Sequence, residues 1–351
     1  MKVDLRTSFI WRVLITPLAW VYRVLYYLRA FYAWGWVQPY QAKIPVISVG
    51  NLSVGGTGKT PLIDWLVGYL EEEGFKVGLL SRGYRRQTTE SLLLRPGAKT
   101  LGGPEFYGDE PWFLAGKHPR LTLAIDSRRD RGSREIEGEV DLLLLDDGFQ
   151  QLYQKVDLNL VLFDASFGLG NGGLLPAGPL REPLSALKRA DALVLTKTNL
   201  GDPRSLQNRL APHLPNGVPT FHLVYQPVGV LDWDQRQLLK LDSLPQVRWL
   251  AFCGIGNPMG FRRALNEAGI EPCDFIVLAD HQHFDLGLAE SLKERAQKMG
   301  AVLIGTQKDG VKLDNLKNSL GPVYLLVMEL GVPEEFKTFI KQKLAKMEPG
   351  A

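Results

Sequence analysis

A chain of 351 residues, 45% hydrophobic and 23% charged, is long enough for two cores and too ordinary in composition for bulk disorder. Its 41 basic and 38 acidic residues leave a net charge of +3, but residues 1–37 hold five of the basic side chains and a single acid, leaving 36 basic and 37 acidic residues for the rest. That balance excludes a general nucleic-acid surface, and no segment marks an obligate protein partner. Two cysteines, Cys253 and Cys273, exclude a disulfide framework.

The first segment is crowded with aromatics: Phe9, Trp11, Trp20, Tyr22, Tyr26, Tyr27, Phe31, Tyr32, Trp34 and Trp36. Ile10, Leu14, Pro17, Val21, Leu25, Leu28 and Tyr32 recur at helical spacing, and Arg12 and Arg23 return to nearly one angular position. Charged residues and Pro17 interrupt the run, so neither a signal peptide nor a spanning helix fits. The pattern predicts an amphipathic helix over residues 1–38 lying in a membrane interface, with rings at headgroup depth. Packing of the same helix on the protein's own core is the alternative.

From residue 39 the text turns to short apolar runs alternating with helical stretches. Pro45–Val49, Val77–Leu80, Leu121–Ile125, Leu142–Leu145, Leu158–Phe163 and Ala192–Leu195 read as strands. Pro61–Glu73 reads as a helix with Leu62, Trp65, Leu66, Tyr69 and Leu70 on one face. This βαβ rhythm predicts an α/β fold over residues 39–224, a mostly parallel sheet flanked by helices, and the glycine-rich run Ser53–Thr60 after its first strand makes the expected type that of a P-loop NTPase. A Pro/Gly-punctuated stretch follows, and Val247–Cys253, Phe275–Leu278, Ala301–Ile304 and Val323–Val327 then predict a second, smaller α/β lobe over 225–351.

The strongest chemical signal is Ser53-Val54-Gly55-Gly56-Thr57-Gly58-Lys59-Thr60, between a predicted strand and a predicted helix. Glycines let backbone N–H groups turn toward phosphate oxygens, Lys59 reaches the β- and γ-phosphates, and Thr60 offers a hydroxyl to Mg²⁺. Ser53 stands where the pattern carries glycine, so the Gly55-Gly56 pair is expected to supply the flexibility. Asp146 and Asp147 end an apolar strand before Gly148, and either or both would hold the Mg²⁺ of a nucleoside triphosphate. Arg82, Arg128, Arg129 and Arg181 are candidates for neutralising transferred charge. Asp109, two residues before Pro111, has a plain explanation as a helix N-cap. His281 and His283, two apart, lack the further ligands a metal centre needs.

Taken in order, several strings resemble the tetraacyldisaccharide 4′-kinase family of lipid A biosynthesis. They are Gly50–Pro61, Ser81-Arg82-Gly83-Tyr84, Gly108-Asp109-Glu110-Pro111, Asp146-Asp147-Gly148-Phe149-Gln150, Leu175–Glu182, Gly254–Pro258, Asp280-His281 and Thr306-Gln307-Lys308-Asp309. The resemblance implies a monotopic or peripheral inner-membrane enzyme facing the cytoplasm. It would transfer the γ-phosphate of ATP, with Mg²⁺, to the 4′-hydroxyl of a lipid A disaccharide 1-phosphate, giving lipid IVA. By matched motif, Lys59 and Thr60 hold phosphate and Mg²⁺, and Asp146 with Asp147 serves the metal. Asp109 is the base, with His281 paired to it across the two lobes, and Glu110, Arg128 (or its neighbour Arg129), Gln150 and Arg181 line the cleft. Gln151 stands where the family carries histidine, and Gln307 replaces its usual glutamate. The competing reading is a membrane-tethered P-loop NTPase switch, for which Thr196-Lys197-Thr198-Asn199 offers an incomplete guanine motif.

Overall fold

In the computed structural model the described residues are 9–83, 86, 88, 90–98, 102–255, 257–279, 284–310, 313 and 316–347. They divide into two compact units, Met1–Val224 with Val332–Ala351, and Tyr225–Gly331.

In the first unit, strands whose residues are almost all apolar are buried on both faces, as parallel strands covered by helices must be. These are β1 (Val46–Asn51), β2 (Val77–Ser81), β4 (Thr122–Ile125), β5 (Leu142–Asp146), β6 (Leu158–Asp164) and β7 (Ala192–Thr196). With β3 (Leu92–Leu94) and β8 (Thr220–His222) they form an eight-stranded sheet in the order β3-β4-β2-β5-β1-β6-β7-β8. Only β3, on β4, runs antiparallel. Register fixes what reaches the edge: Val49 of β1 lies opposite Asp146 of β5, and Asn51 opposite Leu162 of β6.

Helices α1 (Phe9–Trp36), α2 (Lys59–Glu72), α3 (Pro104–Tyr107), α4 (Asp109–Lys117), α5 (Arg129–Ile136) and α6 (Pro203–Leu210) belong to this unit. In α2 the sheet side is made by Leu62, Ile63, Leu66, Val67 and Leu70. Trp65 and Tyr69, expected on that face, instead stack on each other at 5.0 Å between ring centroids. The capping glycine of α4 is Gly108, at φ 90°, and Asp109 is the first helical residue, which corrects the expected N-cap at Asp109.

Helix α1 presents Leu18, Val21, Leu25, Leu28 and Tyr32 on one exposed line, with Val24 and Phe31 beside it. Ile15, Ala19, Tyr22, Tyr26 and Ala33 are half-buried on the other side. No helix among the described residues is long and apolar enough to cross a membrane.

The second unit orders its strands β10 (Gln237–Lys240), β9 (Val224–Asp232), β14 (Val323–Gly331), β13 (Ala301–Thr306), β11 (Arg248–Cys253) and β12 (Asp274–Val277). Its helices are α7 (Pro258–Glu267), α8 (Leu286–Met299), α9 (Gln307–Gly310) and α10 (Lys317–Leu320). Asp309 is fully buried, accepting from Gly254 N–H at 3.2 Å and from the Thr306 hydroxyl at 2.7 Å, so it fastens two strand ends together.

The expected C-terminal lobe of 225–351 is too long by one helix. The final helix α11 (Glu334–Ala345) returns to the first unit, because its apolar face has partners there. Phe336 lies 5.8 Å from Trp65 and 5.0 Å from Phe221, ring to ring, and Lys341 pairs with Glu73 at 2.8 Å.

Candidate active site

In a parallel sheet all strands end on one edge, and ligands bind in the crevice outside those ends. Here six strands deliver a polar residue to that edge: Asn51 (β1), Ser81 (β2), Asp126 (after β4), Asp146 (β5), Asp164 (β6) and Thr196 (β7). The glycine-rich loop leaves the central strand β1 into their midst.

Loop conformation follows from its glycines and from two neighbouring strand ends. Gly55 and Gly56 form an exposed rim with open space where a side chain would stand. Gly58 caps α2 at φ 84°, and an added Cβ there would lie 3.2 Å from Thr196. The Thr196 hydroxyl donates to Thr57 O at 2.9 Å, and the Lys197 amine donates to Gly56 O at 3.1 Å while pairing with Asp164. Ser53 is buried in a bridge opposite Leu180, with Val54 N–H donating to Pro179 O at 2.8 Å. It is absent from the left-handed residues, so glycine is not required at position 53.

The segment that meets Ser53 carries Arg181 to the site. An added Cβ at Gly178 would sit 2.2 Å from Gly173 O, so only glycine lets this segment fold back on itself. Arg181 N–H then donates to Leu52 O at 2.6 Å, and its guanidinium donates to Asp147 Oδ2 at 2.7 Å. Lys59 Nζ lies 3.4 Å from Asp147 Oδ1 and donates to Asn51 Oδ1 at 3.2 Å. Lys59, Asp147 and Arg181 therefore form one cluster at the loop.

Asn51, which motif reasoning left out of the site, organises this cluster. Fully buried, it donates to Ser53 O at 2.6 Å and to the Thr57 hydroxyl at 2.9 Å while accepting from Lys59. Gln150 reaches the same place by donating to Asn51 O at 2.9 Å, so its amide is a latch on β1 in this structure.

The two carboxylates are shifted in opposite directions. Burial raises the pKa of Asp146, offset in part by Lys59, and Ser81 donates to it at 3.0 Å. Burial also opposes the charge of Asp147, but Lys59 and Arg181 outweigh it and hold that carboxyl below the usual range. Asp147 Oδ1 is buried and accepts no hydrogen bond of good geometry, its partner being the Lys59 amine at 3.4 Å. Two adjacent carboxylates at a strand end, together with a hydroxyl at the start of α2 (Thr60), are the oxygen donors that suit Mg²⁺, which takes few protein oxygens and shares the rest of its shell with phosphates and water.

The two candidate arginines separate. Arg128 is half-exposed, forked onto Asp130 at 2.8 and 2.9 Å and stacked 4.3 Å over the Tyr153 ring. Arg129 is only 1% exposed, and burial pushes its guanidinium down to about 10. It donates to Asp146 O at 3.1 Å and Asp126 O at 2.5 Å, which makes it the brace behind the aspartate pair.

Asp109 and Glu110 are exposed in the first turn of α4. The other end of that helix is pinned to α2, where Asp64 meets His118 at 2.7 Å and Lys117 at 2.6 Å. His281, with Asp280, His283, Tyr84 and Gly256, lies outside the described residues. Among the described residues no group of three or more His, Cys, Asp or Glu side chains could hold a metal by itself.

A model of the tetraacyldisaccharide-1-P 4′-kinase family matches residues 11–345. The chain belongs to this family. Relatives named tetraacyldisaccharide 4′-kinase include that of Syntrophotalea carbinolica, 39% identical over 92% of this chain and 90% of its own. The one from Desulfotalea psychrophila is 34% identical over 98% of both chains. The crystal structure of LpxK from Aquifex aeolicus in complex with ATP superposes with a TM-score of 0.75 at 30% identity, covering 95% of this chain and 99% of that one. The family resemblance and the P-loop type of fold expected from the sequence are therefore both correct, and the chain is a kinase.

Proposed function

We propose that this kinase transfers the γ-phosphate of ATP to the 4′-hydroxyl of tetraacyldisaccharide 1-phosphate, forming lipid IVA in lipid A biosynthesis. The observation that carries the reading is the Lys59–Asp147–Arg181 cluster at the loop, in a chain whose relatives are named for this activity. Phosphoryl transfer needs positioning and charge neutralisation more than covalent chemistry, and this cluster supplies two cations where a γ-phosphate would lie. Backbone N–H groups of residues 55–59 would cradle the phosphates, with the start of α2 behind them. Asp146, Asp147 and Thr60 would hold Mg²⁺, which neutralises phosphate charge when bound. Asp109 takes the proton of the sugar hydroxyl, a group too weakly acidic to ionise at neutral pH. Arg128, Glu110 and Gln150 line the same cleft.

The protein works at the cytoplasmic face of the inner membrane, where ATP is at hand and the acceptor's acyl chains stay in lipid. Helix α1 is the contact: its exposed line of Leu18, Val21, Leu25, Leu28 and Tyr32 suits the acyl boundary, and Arg23 suits anionic headgroups. Half-burying those five side chains stabilises by about 1 kcal/mol each, a total fit for reversible docking rather than permanent insertion. Replacing Leu25, Leu28 and Phe31 together by serine should release the protein from anionic vesicles, and unchanged sedimentation would remove α1 from the interface.

The activity is tested with purified protein, Mg-ATP and the lipid disaccharide in detergent micelles, with the phosphorylated position determined. ATP turnover equally fast without lipid would favour the NTPase switch instead.

A further inference from the structure

Two side chains of α1 donate to backbone carbonyls of the first unit, and their partners are not arbitrary. Tyr22 Oη donates to the backbone carbonyl of Arg181 at 2.8 Å. Arg29 Nη2 donates to the backbone carbonyl of Gln150 at 2.9 Å. Positions 22 and 29 are seven apart, two helical turns, and so share one face of α1.

From each acceptor a second bond leads to the phosphate loop. The Arg181 side chain donates to Asp147 at 2.7 Å, and Asp147 lies 3.4 Å from Lys59 Nζ. The Gln150 side chain donates to Asn51 O at 2.9 Å, and Asn51 Oδ1 accepts from Lys59 Nζ at 3.2 Å. Both anchors of the lysine amine thus trace back, through three polar contacts each, to a side chain of α1. A bond to a backbone carbonyl orients that peptide plane and hence the root of the side chain it carries. Simple docking of α1 on the body could have used any exposed carbonyl; both bonds instead fall on residues that hold the loop.

We propose that Tyr22 and Arg29 are positioning residues for phosphoryl transfer, setting Arg181 and the Gln150–Asn51 pair and through them Lys59. The helix that meets lipid is then also part of the frame that aims the loop. This rests on the kinase reading of the site.

The test is the micelle phosphorylation assay on Tyr22→Phe, Arg29→Met, Arg29→Lys and the double variant Y22F/R29M, with lipid and Mg-ATP varied separately. Small displacements of a transfer site cost up to about 100-fold, so each single loss should lower kcat roughly 3- to 10-fold and the pair roughly 30-fold. The KM for lipid and the binding to vesicles should stay within about twofold, because the exposed apolar line of α1 is untouched. Arg29→Lys keeps a donor on a long stem and should recover at least about half of wild-type kcat. In a Gln150→Ala background, Arg29→Met should cost nothing further, since its route to Lys59 is already cut.

A double variant with wild-type kcat would overturn the inference, as would a loss expressed wholly in lipid KM or a full additive effect on Gln150→Ala. If Y22F/R29M fails to fold, the Arg29→Lys and Arg29→Met comparison decides alone. A wild-type protein silent toward lipid would take down the kinase reading and this inference together. Active wild type with indifferent variants takes down this inference only.

Discussion

Asn51→Ala is the sharpest probe of how the phosphate loop is held. The wild-type side chain makes contacts at 2.6 Å to Ser53 O, 2.9 Å to the Thr57 hydroxyl and 3.2 Å to Lys59 Nζ, all from a fully buried position. Truncation strips donors from two loop oxygens and removes one of the two anchors of the lysine. Net values of about 1 kcal/mol for each neutral bond and about 1.5–3 kcal/mol for the charged one sum to roughly 4 kcal/mol. Water can enter past the exposed Gly55-Gly56 rim and recover part of this, leaving about 3 kcal/mol. At about 1.4 kcal/mol per decade that is about 100-fold in rate. The assay is single-turnover transfer at saturating Mg-ATP, with nucleotide affinity measured alongside; kcat should fall about 100-fold and affinity less than about fivefold. Asn51→Asp separates the roles, because it keeps the acceptor for Lys59 while setting a carboxylate oxygen against Ser53 O. It should be as damaging as alanine. Near-normal rates in Asn51→Ala, or recovery in Asn51→Asp, would refute the claim that the two donor bonds shape the loop.

Three further outcomes are expected. Thr196→Val removes only the hydroxyl that reaches Thr57 O, and should weaken Mg-ATP binding about fivefold, the equivalent of about 1 kcal/mol, as read by titration calorimetry. Asp109→Ala should lower kcat by about 100-fold or more with little change in the KM for ATP; an intact kcat would displace it as the base. Asp64 is governed first by burial, which raises its pKa, but hydrogen bonds from His118 and Lys117 outweigh this and hold the folded carboxyl below its ordinary value. A depressed folded pKa means stability that is present above the unfolded value, about 3.9, and lost as pH falls through the folded one. Asp64→Asn should therefore cost about 1–2 kcal/mol at pH 7, with the gap in urea midpoints closing below about pH 4. A gap unchanged down to pH 3 would show that the charge of Asp64 plays no part.

The central sheet was legible because parallel strands buried on both faces are written as unbroken apolar runs; Leu142–Leu145 in β5 cannot be read otherwise once a helix flanks it. Edge strands lack that signature. β3 is three residues long, and β8 sits inside the Pro/Gly-punctuated stretch that reads as an interruption. The C-terminal return was hidden for a different reason. Helix α11 has an ordinary amphipathic pattern, and nothing in it says that Phe336 finds its partners at Trp65 and Phe221 rather than in the unit that precedes it. Helix α2 shows the same limit: spacing marks an apolar stripe without saying that Trp65 faces α11 and Ile63 faces the sheet.

In the site, the loop and Asp146-Asp147 were legible because their chemistry is local, a run of glycines before lysine and an acid pair ending a strand. The bracing roles of Ser81, Arg129, Thr196 and Lys197 were not, since each acts on a group brought from elsewhere in the chain; Thr196 and the Thr57 carbonyl it bonds are 139 residues apart. Yet a signal was present. Parallel strands share a direction, so the residue at each carboxyl end must arrive at the same edge as every other. Collecting those end residues from the six apolar runs yields Asn51, Ser81, Asp126, Asp146, Asp164 and Thr196 without any motif. A polar side chain there has little apolar core left to bury it and meets loops, backbone carbonyls or ligand instead. The phosphate loop is thus shaped from outside: its glycines permit the turn, and strand ends distant in sequence select the conformation that aims Lys59.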